Sequence, residues 1–271
     1  REIGRWQVGN GVRAPPALSY ITGLRSLEYS ADGRFLGGIY WDGSILVWRL
    51  PPSDAVLFSI PEAGPGAQAV IAPDGDHVTW FYRKALVERR GVRVYSLKGR
   101  EPAGPLIEGS DVLLGAVFTP RESEVATVAR DGSVSFWDWR SGALIHSMSI
   151  DAAPQSIIPG PIHRLAVLAE ESVVLIDLFE RRVLSQFDRP YYWTSAWRPD
   201  GDLLYICGYA TGCNAWDAER GVVRYQFGEL ERTLSTGVAP DGRILAFGSP
   251  ADNDVRLVDP QSGEILETRL I

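Results

Sequence analysis

Apolar residues in this chain fall in short runs that alternate with polar positions and stop at glycine-containing turns. The clearest stretch is 124–150, EVATVARDGSVSFWDWRSGALIHSMSI. One run, Val125–Ala129, ends at Asp131-Gly132. The next, Ser133–Trp137, ends at Asp138 and the polar Arg140-Ser141-Gly142. A third follows over Ala143–Ile150. Alternation bounded by Asp-Gly or Ser-Gly predicts strands joined by tight turns, because Gly, Asn and Asp accept the positive φ such turns require.

The pattern recurs. Counterparts of the Trp137 segment begin at Val47, Val94, Leu175, Ala215 and Leu257, with Trp48, Tyr95, Trp137, Ile176, Trp216 and Val258 at matched positions. Successive matched positions differ by 47, 42, 39, 40 and 42 residues. An upstream hairpin also repeats: SADGRFL (30–36), APDGDHV (72–78), RPDGDLL (198–204) and APDGRIL (239–245) place Asp-Gly between two runs. TPRESEV (119–125) and IPGPIHRL (158–165) fill the same slot without it. Each unit therefore predicts four strands, a to d, and a period near 40 suits the blade of a propeller. The units run about 24–60, 67–109, 112–150, 154–188, 191–228 and 234–271. A lone four-stranded sheet leaves both faces uncovered, so neighbouring units must stack. No segment carries a helical pattern.

The expected fold class is all-β, a β-propeller of four-stranded antiparallel blades in a single domain over 1–271. Residues 2–8, EIGRWQV, match strand d of the other units and form an orphan N-terminal strand. We read the chain as a fragment of a longer one. Seven blades follow if upstream sequence completes the first, and six otherwise.

These residues resemble the WD-repeat family of β-propellers over about residues 24–271. The matches are Arg130-Asp131-Gly132-Ser133 through Trp137-Asp138, Tyr40-Trp41-Asp42-Gly43-Ser44 through Trp48, and Ala215-Trp216-Asp217. The family often opens each repeat with Gly-His, whose His joins a hydrogen-bonded set with Asp, Ser or Thr, and Trp. No Gly-His occurs here, so packing is expected to replace much of that set. The Asp-Gly hairpins, with Trp197 before one of them, also resemble TolB-type propeller repeats, the second fold expectation.

Composition narrows the functional classes. The chain of 271 residues is 45% apolar and 23% charged, ordinary for a globular protein, and its net charge of −7 disfavours nucleic acid as a partner. No apolar run reaches the ~18 residues of a membrane span, so no membrane partner is expected. Cys207 and Cys213 could face each other across a hairpin, but free cysteines acting as small hydrophobes are the first expectation, and with them a cytoplasmic location.

Candidate chemistry is sparse. There is no G-x-S-x-G elbow. Three scattered histidines, His77, His146 and His163, do not make a metal site, and Asp252-Asn253-Asp254 lacks calcium-loop spacing. No cofactor is expected. Trp48, Trp137 and Trp216 read as packing between blades. The resemblance implies that the d–a and b–c loops gather at one mouth of a central channel. Mapped there are Tyr40, Trp41, Arg83, Lys84, Arg89, Arg90, Arg130, Tyr191, Tyr192, Trp193 and Tyr209. Aromatic and Arg side chains are the residue types that anchor interfaces. The expected function is therefore a non-enzymatic scaffold or sensor module that binds a protein or peptide partner, including other domains of the same polypeptide. The alternatives are a propeller associated with an enzyme, either hosting channel-metal hydrolase chemistry or gating a hydrolase domain, and one half of a tandem propeller with an architectural role.

Overall fold

A computed structural model describes residues 2–6, 13–19, 24–29, 35–40, 45–49, 67–82, 91–161, 163–188, 194–208, 212–227, 235–239, 241–249 and 254–270. Every regular element among them is a β-strand. The chain divides into two compact units, 1–147 and 148–271.

In the first unit, β1 (Glu2–Trp6) pairs with β2 (Arg13–Ser19). The N-terminal strand thus has a partner downstream, which the sequence pattern did not reveal because Pro15-Pro16 interrupts it. Next come β3 (Leu24–Tyr29), β4 (Phe35–Tyr40) and β5 (Ile45–Arg49), an antiparallel sheet in that order. The second repeat holds β6 (Ala67–Ile71), β7 (His77–Tyr82), β8 (Gly91–Val92), β9 (Tyr95–Ser96), β10 (Glu101–Pro102) and β11 (Ile107–Glu108). The third holds β12 (Leu113–Phe118), β13 (Glu124–Ala129), β14 (Ser133–Asp138) and β15 (Ala143–Ser149). A single bridge, Phe81 to Gly115, joins β7 to β12.

The second unit is three plain meanders, each sheet ordered as in sequence. They are β16 (Pro154–Pro159), β17 (Arg164–Ala169), β18 (Ser172–Asp177) and β19 (Arg182–Asp188); β20 (Thr194–Trp197), β21 (Leu203–Gly208), β22 (Gly212–Asp217) and β23 (Val223–Phe227); and β24 (Ser235–Val238), β25 (Leu245–Ser249), β26 (Asp254–Val258) and β27 (Ile265–Leu270).

Burial follows strand position. The second strands β13 and β21 are buried at every residue, whereas β15 is exposed at nearly every one. A strand covered by neighbouring sheets on both faces needs an almost continuous apolar run, and an outer strand does not. The cores lie between successive sheets. In the second unit, Leu203, Tyr205 and Phe227 pack with Leu245, Phe247 and Val258. One sheet earlier, Leu168, Leu175 and Phe187 pack with Trp197, Leu204 and Ile206. Each fully buried aliphatic side chain contributes about 1.5–3 kcal/mol, so stacking is the main stabilising term.

The turns explain the glycines. Gly75, Gly201 and Gly242 of the Pro-Asp-Gly hairpins have φ of 71°, 74° and 71°, and Gly142, Gly221 and Gly263 of the c–d turns lie at 76°, 65° and 77°. In two repeats a non-glycine takes the c–d position: Arg100 at φ 58° and Arg181 at φ 54°.

Candidate partner-binding surfaces

Of the residues the sequence nominates, Arg130 is placed with its side chain. It is exposed at the turn between β13 and β14. Beside it, Asp131 Oδ1 accepts from the Ser133 amide at 2.9 Å and the Ser133 hydroxyl at 2.6 Å, and Oδ2 accepts from Ser110 Oγ at 3.0 Å. The Ser133 hydroxyl, then its amide, hold the Asp131 carboxyl below its usual range. This anchors the turn that presents Arg130. Tyr40 is the last residue of β4 and is described through its backbone. Trp41, Arg83, Lys84, Arg89, Arg90, Tyr191, Tyr192, Trp193 and Tyr209 lie outside the described residues.

The same repeat keeps part of the polar set that the missing Gly-His would complete. Trp137 Nε1 donates to Thr127 Oγ1 at 2.9 Å, and Thr127 Oγ1 donates to the Ser135 carbonyl at 3.3 Å. Ser110, from the connection before β12, meets Asp131. Two sheets on, Trp216 pairs with Leu204 as Trp137 pairs with Val125. Two residues further along that strand stands Ile206 where the third repeat has Thr127. Trp216 Nε1 is consequently buried without a partner, and its ring stacks on Phe187 at 3.8 Å and 7°.

Cys207 and Cys213 are register partners on β21 and β22, with Cα atoms 4.0 Å apart, and form a disulfide. The expectation of free cysteines gives way to the hairpin register, which brings them face to face.

At the other end of the strands, the turns of the second unit build a charged cleft that sequence reasoning missed. It encloses about 510 Å³ and is lined by Arg198, Asp200, Asp241, Gly242, Arg243, Asp259, Pro260 and Gln261. Each Asp first serves its own turn, an Asx arrangement. Asp241 Oδ1 accepts from the Arg243 amide at 3.0 Å, and Asp259 Oδ1 accepts from the amides of Gln261 and Ser262 at 2.7 and 2.9 Å. Asp200 takes the Asp202 amide at 3.0 Å and Arg198 Nε at 2.7 Å. Arg198 also reaches Asp202 at 3.3 Å. The turn residues themselves were visible in the sequence, as the repeated Asp-Gly hairpins and the Asp that ends β22 or directly follows β26, but not their convergence into a cleft. Among the described residues no group of three His, Cys, Asp or Glu side chains could hold a metal ion.

No family model matches the chain. A stretch of 127 residues is 24% identical to WD repeat-containing protein 36 of Homo sapiens, covering 44% of this chain and 14% of that protein. The fold is similar to a chain in the crystal structure of the mitotic checkpoint complex, with a TM-score of 0.69 and 16% identity over 93% of this chain and 79% of that one. In sequence and in fold, this chain resembles the WD-repeat β-propellers. The four-stranded antiparallel meanders of the second unit are propeller blades. A small part of the long WD-repeat relative is matched, so its activity and partners stay with that protein.

Proposed function

We propose that this chain is a non-catalytic propeller that binds protein or peptide partners and serves as a scaffold or sensor module of a larger regulatory protein. The observation that supports it most is the fold likeness to a propeller found in the mitotic checkpoint complex, because propellers of this kind are generally scaffolds. The chemistry of the described residues agrees. Asp131, Asp138, Asp177, Asp217 and Asp259 each accept backbone amides of their own turns, so these carboxylates are committed to structure. Rigid blades hold the turns, and side chains such as Arg130 project from them. Binding residues are commonly carried on loops positioned by a rigid scaffold.

Partner contact is assigned to the d–a and b–c loops, with Tyr40, Trp41, Arg83, Lys84, Arg89, Arg90, Arg130, Tyr191, Tyr192, Trp193 and Tyr209 as anchors. Cross-linking mass spectrometry on the chain in its native extract tests the assignment. Cross-links to one protein concentrated near residues 83–90, Arg130 and 189–193 are expected. Cross-links scattered over the outer strands would contradict it.

A further inference from the structure

We propose that Cys207 and Cys213 form a reversible thiol–disulfide site that exchanges with a low-molecular-weight thiol of the glutathione type, with Cys207 as the leaving thiolate. The internal repeat is the first ground for this. The two cysteines are register partners near the end of the β21–β22 hairpin, with the Gly208–Gly212 pair beyond them. Stepping three residues back from the matched positions Trp48, Trp137, Ile176, Trp216 and Val258 finds the same pair in the other blades. It is Ile39 with Ile45 in the first repeat, Val128 with Val134 in the third, Leu168 with Val173 in the fourth and Gly248 with Val255 in the last.

That comparison separates the bond from the fold. Aliphatic side chains or glycine satisfy this place elsewhere, so a blade closes its second and third strands here without a cross-link. The chain holds two cysteines, and the bond belongs to no disulfide framework. Both side chains sit in the apolar cluster of Leu203, Tyr205, Phe227 and Phe247, where a reduced cysteine packs as a small hydrophobe. The reduced hairpin therefore keeps its register and its core, and the two sulfurs stay opposite each other.

A second observation gives the pair a direction. Thr236, on β24 of the next blade, donates its hydroxyl to Cys207 Sγ at 3.4 Å. A hydrogen bond to the charged form of a thiol favours that form, and the thiol that ionises more readily leaves faster in exchange. Cys207 is thereby the leaving group, and Cys213 carries the sulfur that is attacked.

The exchange balances in two steps. A thiolate of the reductant attacks Cys213 Sγ, the bond between the two cysteines breaks, and Cys207 leaves as a thiolate that takes a proton from water. A second reductant thiolate attacks the sulfur of the first, and Cys213 leaves in the same way. Two reductant thiols become one disulfide, and the chain gains two electrons and two protons. Glutathione disulfide reverses both steps. Both sulfurs belong to buried side chains, so attack follows fraying of the hairpin end, where one pair of glycines separates the cysteines from the connecting residues. Tyr209 is among those connecting residues. That the bond thereby acts on partner contact is the one consequence that rests on the protein-binding reading above.

The test places the intact chain in buffers of reduced and oxidised glutathione and reads it by thiol alkylation with mass spectrometry, melting temperature and amide hydrogen exchange. Excess reduced glutathione is expected to reduce the pair while the chain stays folded, and glutathione disulfide to restore it. Exchange at the Gly208 and Gly212 amides is expected to rise about tenfold or more on reduction, with β17 and β18 unchanged. The mixed disulfide trapped by acid quenching is expected on Cys213, and Thr236→Val is expected to slow reduction several-fold. Cys207→Val with Cys213→Val, which copies the pair of the third repeat, is expected to fold and to ignore the glutathione ratio. A bond reduced only when the chain unfolds, glutathione trapped on Cys207, unchanged exchange at the two glycines, or a double valine variant that fails to fold overturns the proposal. No partner enters these measurements, so their failure and the failure of the protein-binding reading are told apart.

Discussion

Two tryptophans at the same place in their blades stand in different chemical circumstances. Trp137 donates to Thr127, whereas Trp216 faces Ile206 and has a buried N–H without a partner. Replacing each with Phe removes similar area but breaks a hydrogen bond in one case only. Trp137→Phe should therefore cost about 1 kcal/mol more than Trp216→Phe, read from urea unfolding midpoints. Equal costs would mean that the Thr127 bond contributes nothing. A second residue-scale case is Arg100. It takes the left-handed conformation that Gly142, Gly221 and Gly263 take elsewhere. An L-residue there costs about 1–2 kcal/mol, part of which the unfolded-state entropy of Gly offsets. Arg100→Gly should raise stability by about 0.5–1 kcal/mol in the same assay.

At the scale of elements, the turns carry the titratable groups that matter. Asp74, Asp131, Asp138, Asp200 and Asp259 all hold their protons less tightly than the usual 3.8. In Asp74 and Asp200 burial opposes this and is outweighed by hydrogen bonds, the Asp76 amide in one and Arg198 in the other. Carboxyls with depressed folded-state pKa values stabilise the fold above about pH 4, and that contribution is lost as pH falls toward their folded values. The unfolding free energy should accordingly be flat from neutral pH to about pH 5 and drop below pH 4. A protein equally stable at pH 3 and pH 6 would contradict this. The Asp-Gly turns were legible in the sequence because a positive φ selects Gly. The role of Asp was half legible. Its turn-capping oxygen follows from spacing alone, but the cleft formed by three such turns depends on how one blade abuts the next, which spacing does not state.

For the whole molecule, the period near 40 was enough to foresee an all-β chain of stacked four-stranded sheets, since each sheet must bury both faces. The second repeat was harder, because β8 to β11 are two-residue strands that no alternation marks. The partner of β1 was hidden by two prolines, and the Cys207–Cys213 pair was hidden until the hairpin register set them opposite each other. Function divides along the same line. Blades repeat, so what repeats is structural, and recognition falls to positions where repeats differ. In the proposed function those positions are the loops around Arg130 and Trp193. Surface substitutions at such places should change affinity without changing fold. The most direct measurement is the affinity of the cross-linked partner for the wild-type chain and for Trp193→Ala, Arg89→Ala with Arg90→Ala, and Arg130→Ala, with melting temperatures recorded alongside. The account predicts a loss of about tenfold or more in at least the first two, the range of interface anchors, with melting temperatures within about 2 °C. Unchanged affinity in all three variants would contradict it.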